Sequence, residues 1–425
     1  MPEIGFETWA RQADAQDELA QFRHYFYTVP GVIYLDGNSL GLLSKPAENA
    51  VLRVLNEWKT QAIGGWTEAN PGWFHLADDL ARQVAPLVGA APEEILIANS
   101  TTVNLHQLLA TLYDPNLPHK TILADSLNFA SDLYALRSHL LLRGVNPETH
   151  LRLISSADGL TLDEDEIIAA MTGDVQIAVF PSVLYRSGQR LDMARLAGAA
   201  RERGILFGLD CAHSIGAMPH DLSAWSVDFA FWCHYKYLSA GPGSAAGLYL
   251  NRRHFGKAPG LAGWFSNRKQ TQFDMASMLD AAPDANALHI GTPNILSMAP
   301  LQGSLEIVAA AGIERIRAKS LRLTEFLIEL ADSELREFGF AIGTPREAER
   351  RGGHIALLHP DAAALSRALR RAGVIPDCRP PNIIRFAPAP LYNSFADCLE
   401  AVRRLKDIMT QGNYGDEMPE RELVP

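Results

Sequence analysis

The sequence predicts an α/β protein, with a mainly parallel seven-stranded sheet between helices and a smaller α+β domain beside it. Three observations carry this expectation. From about residue 94, short apolar runs alternate with helical stretches, the rhythm of strand–helix units that cover both faces of a parallel sheet. The chain has 425 residues, 47% of them hydrophobic and 20% charged, which suits two or three domains and a sizeable core. Polar residues able to do chemistry cluster just after the apolar runs, at the strand ends where such sheets bind ligands.

The elements run in chain order. Residues 1–30 read as one amphipathic helix that turns Phe6, Trp9, Phe22 and Phe26 toward the core. Val32 to Leu35 reads as a short strand, stopped by Asp36-Gly37-Asn38-Ser39, and 46–61 as a helix. Ile95-Leu96-Ile97 precedes a helix over 101–112, and Thr121-Ile122-Leu123 a helix over 129–142. Leu151 to Ile154 precedes a helix over 163–171, and Val175 to Phe180 a helix over 192–203. Ile205 to Leu209 ends in Asp210, and 227–232 and 247–250 read as two further strands. A long helical stretch covers 295–338, and the smaller α+β region after it closes with a helix over 394–410. The expected division is an N-terminal segment, 1–60, joining the small domain; a large domain, 61–295; the small domain, 296–410; and a polar, frayed tail, 411–425.

Charge narrows the function classes. Lys and Arg number 38 against 49 Asp and Glu, a net −11 with a pI near 5.6, so neither nucleic acid nor an anionic membrane is an expected partner. The four cysteines are scattered without a CxxC pair, which argues against a disulfide framework or a structural zinc and suits a cytoplasmic location. No metal site is expected. The N-terminus is mixed and acidic without an apolar signal core. The longest mostly apolar stretch, Ile295 to Ile313, is interrupted by Pro300, Gln302 and Glu306, so no membrane span is expected.

The strand-end residues suggest a chemistry. Ser100-Thr101-Thr102 opens a helix, where free N–H groups and the dipole favour an anion; an ordinary N-cap is the alternative. Lys236 follows an apolar strand and is either a nucleophilic amine suited to a Schiff base or a rim lysine. Asp210 ends a strand and serves either a pyridinium N–H or a turn. His213 is a ring neighbour or a structural histidine. Phe129 is a ring cover or core, and Asp132, one helical turn on, touches the same object or water. Together, a phosphate seat, ring cover, ring-nitrogen carboxylate and Schiff-base lysine are the four needs of pyridoxal 5′-phosphate. No G-x-G-x-x-G follows the early strands and no G-x-x-x-x-G-K-[ST] occurs, so nicotinamide and nucleoside-triphosphate readings fall behind.

Asp210-Cys211-Ala212-His213 with Tyr235-Lys236 resembles the aminotransferase-like, fold-type I family of pyridoxal-phosphate enzymes. Longer strings resemble its kynureninase branch, of bacterial type: LDGNSLG (35–41), TVNLH (102–106), NFASD (128–132), YRSGQ (185–189), GLDCAHSIGA (208–217), VDFAFWCHYKYLSAGPG (227–243), GWF (263–265) and IRFAPAPLYNSF (384–395). They fall in the family's order from about residue 20 to 410. The resemblance implies a homodimeric hydrolase that cleaves the Cβ–Cγ bond of L-kynurenine, giving anthranilate and L-alanine. It implies that Lys236 links to the cofactor and later takes the Cα proton, that Asp210 holds the pyridinium proton, and that Phe129 stacks on the ring. Thr101, Thr102 and Tyr235 would bind phosphate, and Asp132 and His213 would flank the ring. Tyr235 is the candidate acid. Trp264 and Thr292 would reach the phosphate of the neighbouring subunit, and Arg385 would bind the substrate carboxylate. Trp66 would lie over the substrate's aryl ring and disfavour 3-hydroxykynurenine, with Ser39 and Phe265 completing the pocket, and Asn38 would also bind substrate. Two positions depart: some relatives carry asparagine where this chain has Thr292, and serine or threonine where it has Pro181.

Two rivals are distinguishable. A cysteine desulfurase or selenocysteine lyase on the same fold needs a mobile thiol, for which Cys378 is the candidate by position. A non-catalytic cofactor-binding regulator would have no need to keep Lys236, Asp210 and Arg385 together.

Overall fold

The computed structural model describes residues 5–412 and 414–415. The expected tail, 411–425, therefore lies mostly outside the described residues. Thirteen strands succeed one another among the described residues: β1 (Ile33–Tyr34), β2 (Ile95–Ile97), β3 (Thr121–Asp125), β4 (Leu151–Ile154), β5 (Val175–Pro181), β6 (Leu206–Asp210), β7 (Phe229–Trp232), β8 (Gly247–Leu250), β9 (Ala341–Ile342), β10 (Ile355–Leu358), β11 (Val374–Ile375), β12 (Asp377–Arg379) and β13 (Ile383–Phe386). Strands β2 to β8 form one seven-stranded sheet in the order β2-β8-β7-β6-β5-β3-β4. Neighbours from β7 through β4 pair in parallel, while β8 runs antiparallel to both β7 and β2. All seven residues of β5 are buried, as a strand covered on both faces requires.

The parallel strands end on one edge, so Asp125, Pro181, Asp210 and the loop after Trp232 face the same crevice. A second sheet, in the order β12-β13-β10-β9, is antiparallel. It packs with the helices Ile313–Glu334 and Phe395–Gln411 in its own hydrophobic core around Phe326, Phe386 and Phe395.

Two helical expectations need correction. Residues 1–30 are not one helix: a helix covers Phe6–Ala15, and a separate short turn covers Ala20–Tyr25. The Asp17 carboxylate accepts from the Leu19 N–H at 3.0 Å and pairs with the buried Lys319 ammonium at 2.6 Å, which pulls the chain out of the helix. Trp9 then stacks on Phe326 at 4.5 Å in the smaller core, whereas Phe22 and Phe26 join the larger one. One straight helix would not reach both cores. The stretch 295–338 likewise divides into Ile295–Ala311 and Ile313–Glu334, with axes bent by 80°. Gly312 sits between them at φ +81°, where a side chain would be strained. Among the described residues, no single helix is long and apolar enough to cross a membrane.

The helix Leu76–Val88 was not expected from the sequence. Its signal was present in Leu76, Leu80, Val84 and Val88, spaced four apart along one buried face.

Candidate active site

Lys236 stands in the loop between β7 and β8. His234 anchors that loop. Its Nε2 accepts from Trp232 Nε1 at 2.8 Å and its Nδ1 donates to the Ala245 carbonyl at 2.5 Å. This pattern fixes a neutral imidazole, and burial lowers its pKa to about 4. The loop is also pinned from the N-terminal segment, where the Gly41 N–H donates to the Tyr235 carbonyl at 2.8 Å. Lys236 Nζ lies 3.0 Å from His213 Nε2 and 6.0 Å from the Phe129 ring centre.

Two carboxyls, Asp210 and Asp132, act on this amine, and a third, Asp125, interacts with both of them. Asp210, at the end of β6, is buried; burial raises its pKa, while the Lys236 charge and the Ala212 N–H, which donates to it at 2.8 Å, oppose the rise. Asp132 is driven well up by burial, and the Asp210 charge adds to the effect. Asp125, which ends β3, is pushed up to about 7 by burial, with Asp210 again adding. Asp132 Oδ2 and His213 Nδ1 are buried without a hydrogen-bond partner. With Lys236 donating to His213 Nε2, the imidazole proton sits on Nδ1. Burial, with Lys236 next, holds His213 well below the usual histidine range.

Thr101 and Thr102 open the helix Thr101–Leu112. Its N-cap, Ser100, makes no side-chain capping bond, so the first-turn N–H groups point outward unspent. Asn99 holds the turn in a left-handed conformation at φ +54°, bonding Asn104 at 3.1 Å. Thr102 Oγ1 meets Ser131 Oγ at 2.7 Å, joining this turn to the helix that begins beside Phe129. Phe129 is 44% exposed and meets Tyr185 edge-on at 5.5 Å. Burial, with Cys233 alongside, raises the Tyr235 phenol well above its usual value. Pro181 pairs in register with Asp210, and the next residue, Ser182, supplies a hydroxyl that donates to the Asp210 carbonyl at 2.9 Å.

Arg385 reaches the crevice from β13 of the smaller sheet and is fully buried. It pairs with Asp377, donates to the Tyr185 carbonyl, and has Ser39 Oγ 3.5 Å from Nη2. Asn38 is buried with neither side-chain amide atom bonded. Four further residues belong to this end that the sequence alone does not single out: Tyr185, Asp377, Arg379 and His354. Tyr185 lies inside the YRSGQ string. The other three carry no spacing signal, because their partners are distant in sequence. His354 is buried with its ring 5.9 Å from that of His213. Burial, then the Arg385 charge, keeps its pKa well down.

The remaining expected residues lie apart from Lys236 within the chain. Trp66, Trp264, Phe265 and Thr292 line a separate apolar cleft of about 760 Å³, together with Ile63, Phe74 and Phe273. No hydrogen bond, ion pair or ring contact among the described residues joins this group to the Lys236 cluster. Trp264 is 42% exposed and Phe273 64%.

The residues around Lys236 fit pyridoxal 5′-phosphate. An amine stands ready for its aldehyde, a buried carboxyl for its ring nitrogen, and an uncapped helix start for its phosphate. The unpartnered Asp132 Oδ2 and His213 Nδ1 would gain polar partners at the ring.

Comparison with known proteins agrees. Residues 316–405 match the family profile described as kynureninase C-terminal domain. The chain is 54% identical to a kynureninase of Bacillus thuringiensis subsp. konkukian over 416 residues, covering 98% of this chain and 97% of the relative. It is 53% identical to a kynureninase of Geobacillus thermodenitrificans with the same coverage. Among solved structures it resembles an apo cysteine desulfurase from Thermococcus onnurineus NA1, with a TM-score of 0.78 at 19% identity over 92% of this chain and 98% of the other. It also resembles C-DES with glycine covalently linked to its pyridoxal-phosphate cofactor, with a TM-score of 0.80 at 18% identity over 91% and 99%. At these identities the structural likenesses speak for the fold alone.

Proposed function

The chain belongs to the kynureninase family and is a pyridoxal-phosphate-dependent hydrolase of L-kynurenine in tryptophan degradation; from that premise we propose which of its residues perform the reaction. Bound cofactor supplies an electron sink for the charge left when the substrate's Cα proton departs. Lys236 would hold the cofactor aldehyde and, once the substrate's amino group has displaced it, its freed Nζ would take the Cα proton. Asp210 keeps the ring nitrogen protonated, Phe129 covers one ring face, and Asp132 and His213 border the ring. Thr101, Thr102 and Tyr235 bind the phosphate, and Tyr235 moves protons to and from the substrate skeleton during Cβ–Cγ cleavage. Arg385 binds the substrate's α-carboxylate, and Asn38 and Ser39 line the substrate pocket, Ser39 on the Arg385 side rather than in the cleft of Trp66 and Phe265.

The observation that carries this reading is the placement of Lys236 3.0 Å from His213 and within reach of the Asp210 and Asp132 charges at the strand-end edge of the sheet. The test is release of fluorescent anthranilate when L-kynurenine is added to the holoenzyme. Lys236→Ala is expected to abolish both turnover and the visible absorbance of the linked cofactor while the protein stays folded. Near wild-type turnover in that variant overturns the assignment of the lysine.

The protein works as a homodimer in this reading. Trp264 and Thr292 serve the partner's phosphate, and Trp66 and Phe265 pack on the substrate's aryl ring. Support comes from the apolar cleft these four residues share and from its rim, where Ile63 and Phe273 are largely exposed. Such a patch is what a second copy would cover. Its location is the cytoplasm, a reading supported by the buried, free thiols of Cys211, Cys233 and Cys398. The division into a large cofactor-binding domain and a small C-terminal one is supported by the small sheet's own hydrophobic core, separate from those of the large sheet, although the helix Ile295–Ala311 packs with the large sheet.

A further inference from the structure

Asp377 and Arg385 are register partners on the antiparallel strands β12 and β13, so their side chains leave the same face of the small sheet side by side. Both are fully buried. Asp377 Oδ2 takes the Nε and the Nη2 of Arg385, closing one edge of the guanidinium fork. The same oxygen accepts from Arg379 Nε at 3.1 Å. Arg379, two residues along β12, shares the face. Both guanidinium groups stand about equally far from the Tyr185 ring, at 5.9 Å for Arg379 and 6.0 Å for Arg385.

A guanidinium has two edges on which a carboxylate can be held bidentately, one made by Nε with an Nη and one made by the two Nη atoms. With the first edge closed by Asp377, the second faces the Tyr185 carbonyl, which takes Nη1, and Ser39 Oγ, 3.5 Å from Nη2. Tyr185 is also the residue whose ring meets Phe129 and His213, so this second edge lies on the side of the Lys236 cluster. Without Asp377, only the Tyr185 carbonyl and the more distant Ser39 hydroxyl would set the rotation of this buried guanidinium.

We propose that Asp377 is a positioning residue for substrate recognition: it clamps one edge of Arg385 so that the other is presented to the α-carboxylate of the amino-acid substrate. The inference rests on the reading of Arg385 as the carboxylate ligand.

L-Alanine and ethylamine differ by that carboxylate alone and probe it directly. Their dissociation constants are read from the change each causes in the visible absorbance of the holoenzyme. Wild type is expected to bind L-alanine well and ethylamine poorly. Asp377→Ala is expected to weaken L-alanine by about tenfold or more while leaving ethylamine unchanged. For L-kynurenine, KM should rise in that variant with kcat held within a few-fold. A purely structural role would weaken both probes together, and that result overturns the inference. Arg385→Ala separates the two layers. If it keeps the preference for L-alanine, Arg385 is not the carboxylate ligand; if it loses the preference while Asp377→Ala keeps a wild-type constant, the positioning role is wrong. Should the alanine variant fail to fold, Asp377→Asn serves, since it keeps a neutral acceptor. An intermediate weakening, about threefold, is then expected, and a wild-type constant for L-alanine counts against the proposal.

Discussion

A Cβ placed on Gly41 would stand 2.5 Å from the carbonyl oxygen of Lys236, and closer still to the Ser239 hydroxyl. The N-terminal LDGNSLG turn thus lies directly against the loop that carries the amine, held there by the Gly41 to Tyr235 hydrogen bond. Gly41→Ala is therefore expected to push that loop away. Overpacking of this kind costs about 1–3 kcal/mol, and the displaced lysine should bind cofactor less well. Thermal melts and titration of visible absorbance with pyridoxal phosphate would check both effects. An unchanged cofactor affinity would mean that the loop absorbs the methyl group without moving Lys236.

Trp66 meets Trp73 edge-on at 5.9 Å and turns its other side to the cleft shared with Trp264 and Phe265. An indole offers a broad apolar face and one N–H donor, whereas an imidazole can pair with a hydroxyl on the substrate ring. The wild type is expected to prefer L-kynurenine to its 3-hydroxy form by roughly tenfold in kcat/KM, and Trp66→His to shift the ratio toward the hydroxylated substrate. Equal specificity constants in the wild type would remove Trp66 from the substrate pocket.

Asp125 gives a pH dependence with a definite sign. Burial raises its carboxyl to about 7, against roughly 3.9 in an unfolded chain. The folded state therefore holds the proton over a range where the unfolded state has lost it. The stability this contributes is complete below about pH 4 and is lost as pH rises toward about 7. Asp125→Asn keeps an acceptor for the Leu127 N–H, which Asp125 Oδ1 serves at 2.9 Å, and carries no charge. It is expected to melt higher than the wild type at pH 8 by roughly a few °C, with the difference shrinking toward pH 5. A difference that grows on acidification would contradict the buried, protonated carboxyl.

The strands and the cofactor end of the site were legible in the amino-acid order. Strands buried on both faces must be short continuous apolar runs, and all seven of the large sheet lie where such runs occur. Residues just past the end of a strand are carried to the edge where that strand stops, so Asp210 and the Tyr235-Lys236 loop were bound to reach the same edge once the sheet was parallel. The motifs TVNLH, NFASD and GLDCAHSIGA supplied the rest of that cluster, from Thr102 to His213. Other features depended on partners far along the chain, which local periodicity does not encode. The first helix stops at residue 15 because Asp17 finds Lys319, and the helix begun at Ile295 turns at Gly312 through 80°. Arg385 acquires its orientation from a strand register with Asp377 and from the carbonyl of Tyr185, 200 residues away. A buried charge must find its counter-charge and its hydrogen bonds wherever the fold brings them, and for Arg385 that place was decided by the packing of the small sheet against the 185–190 loop.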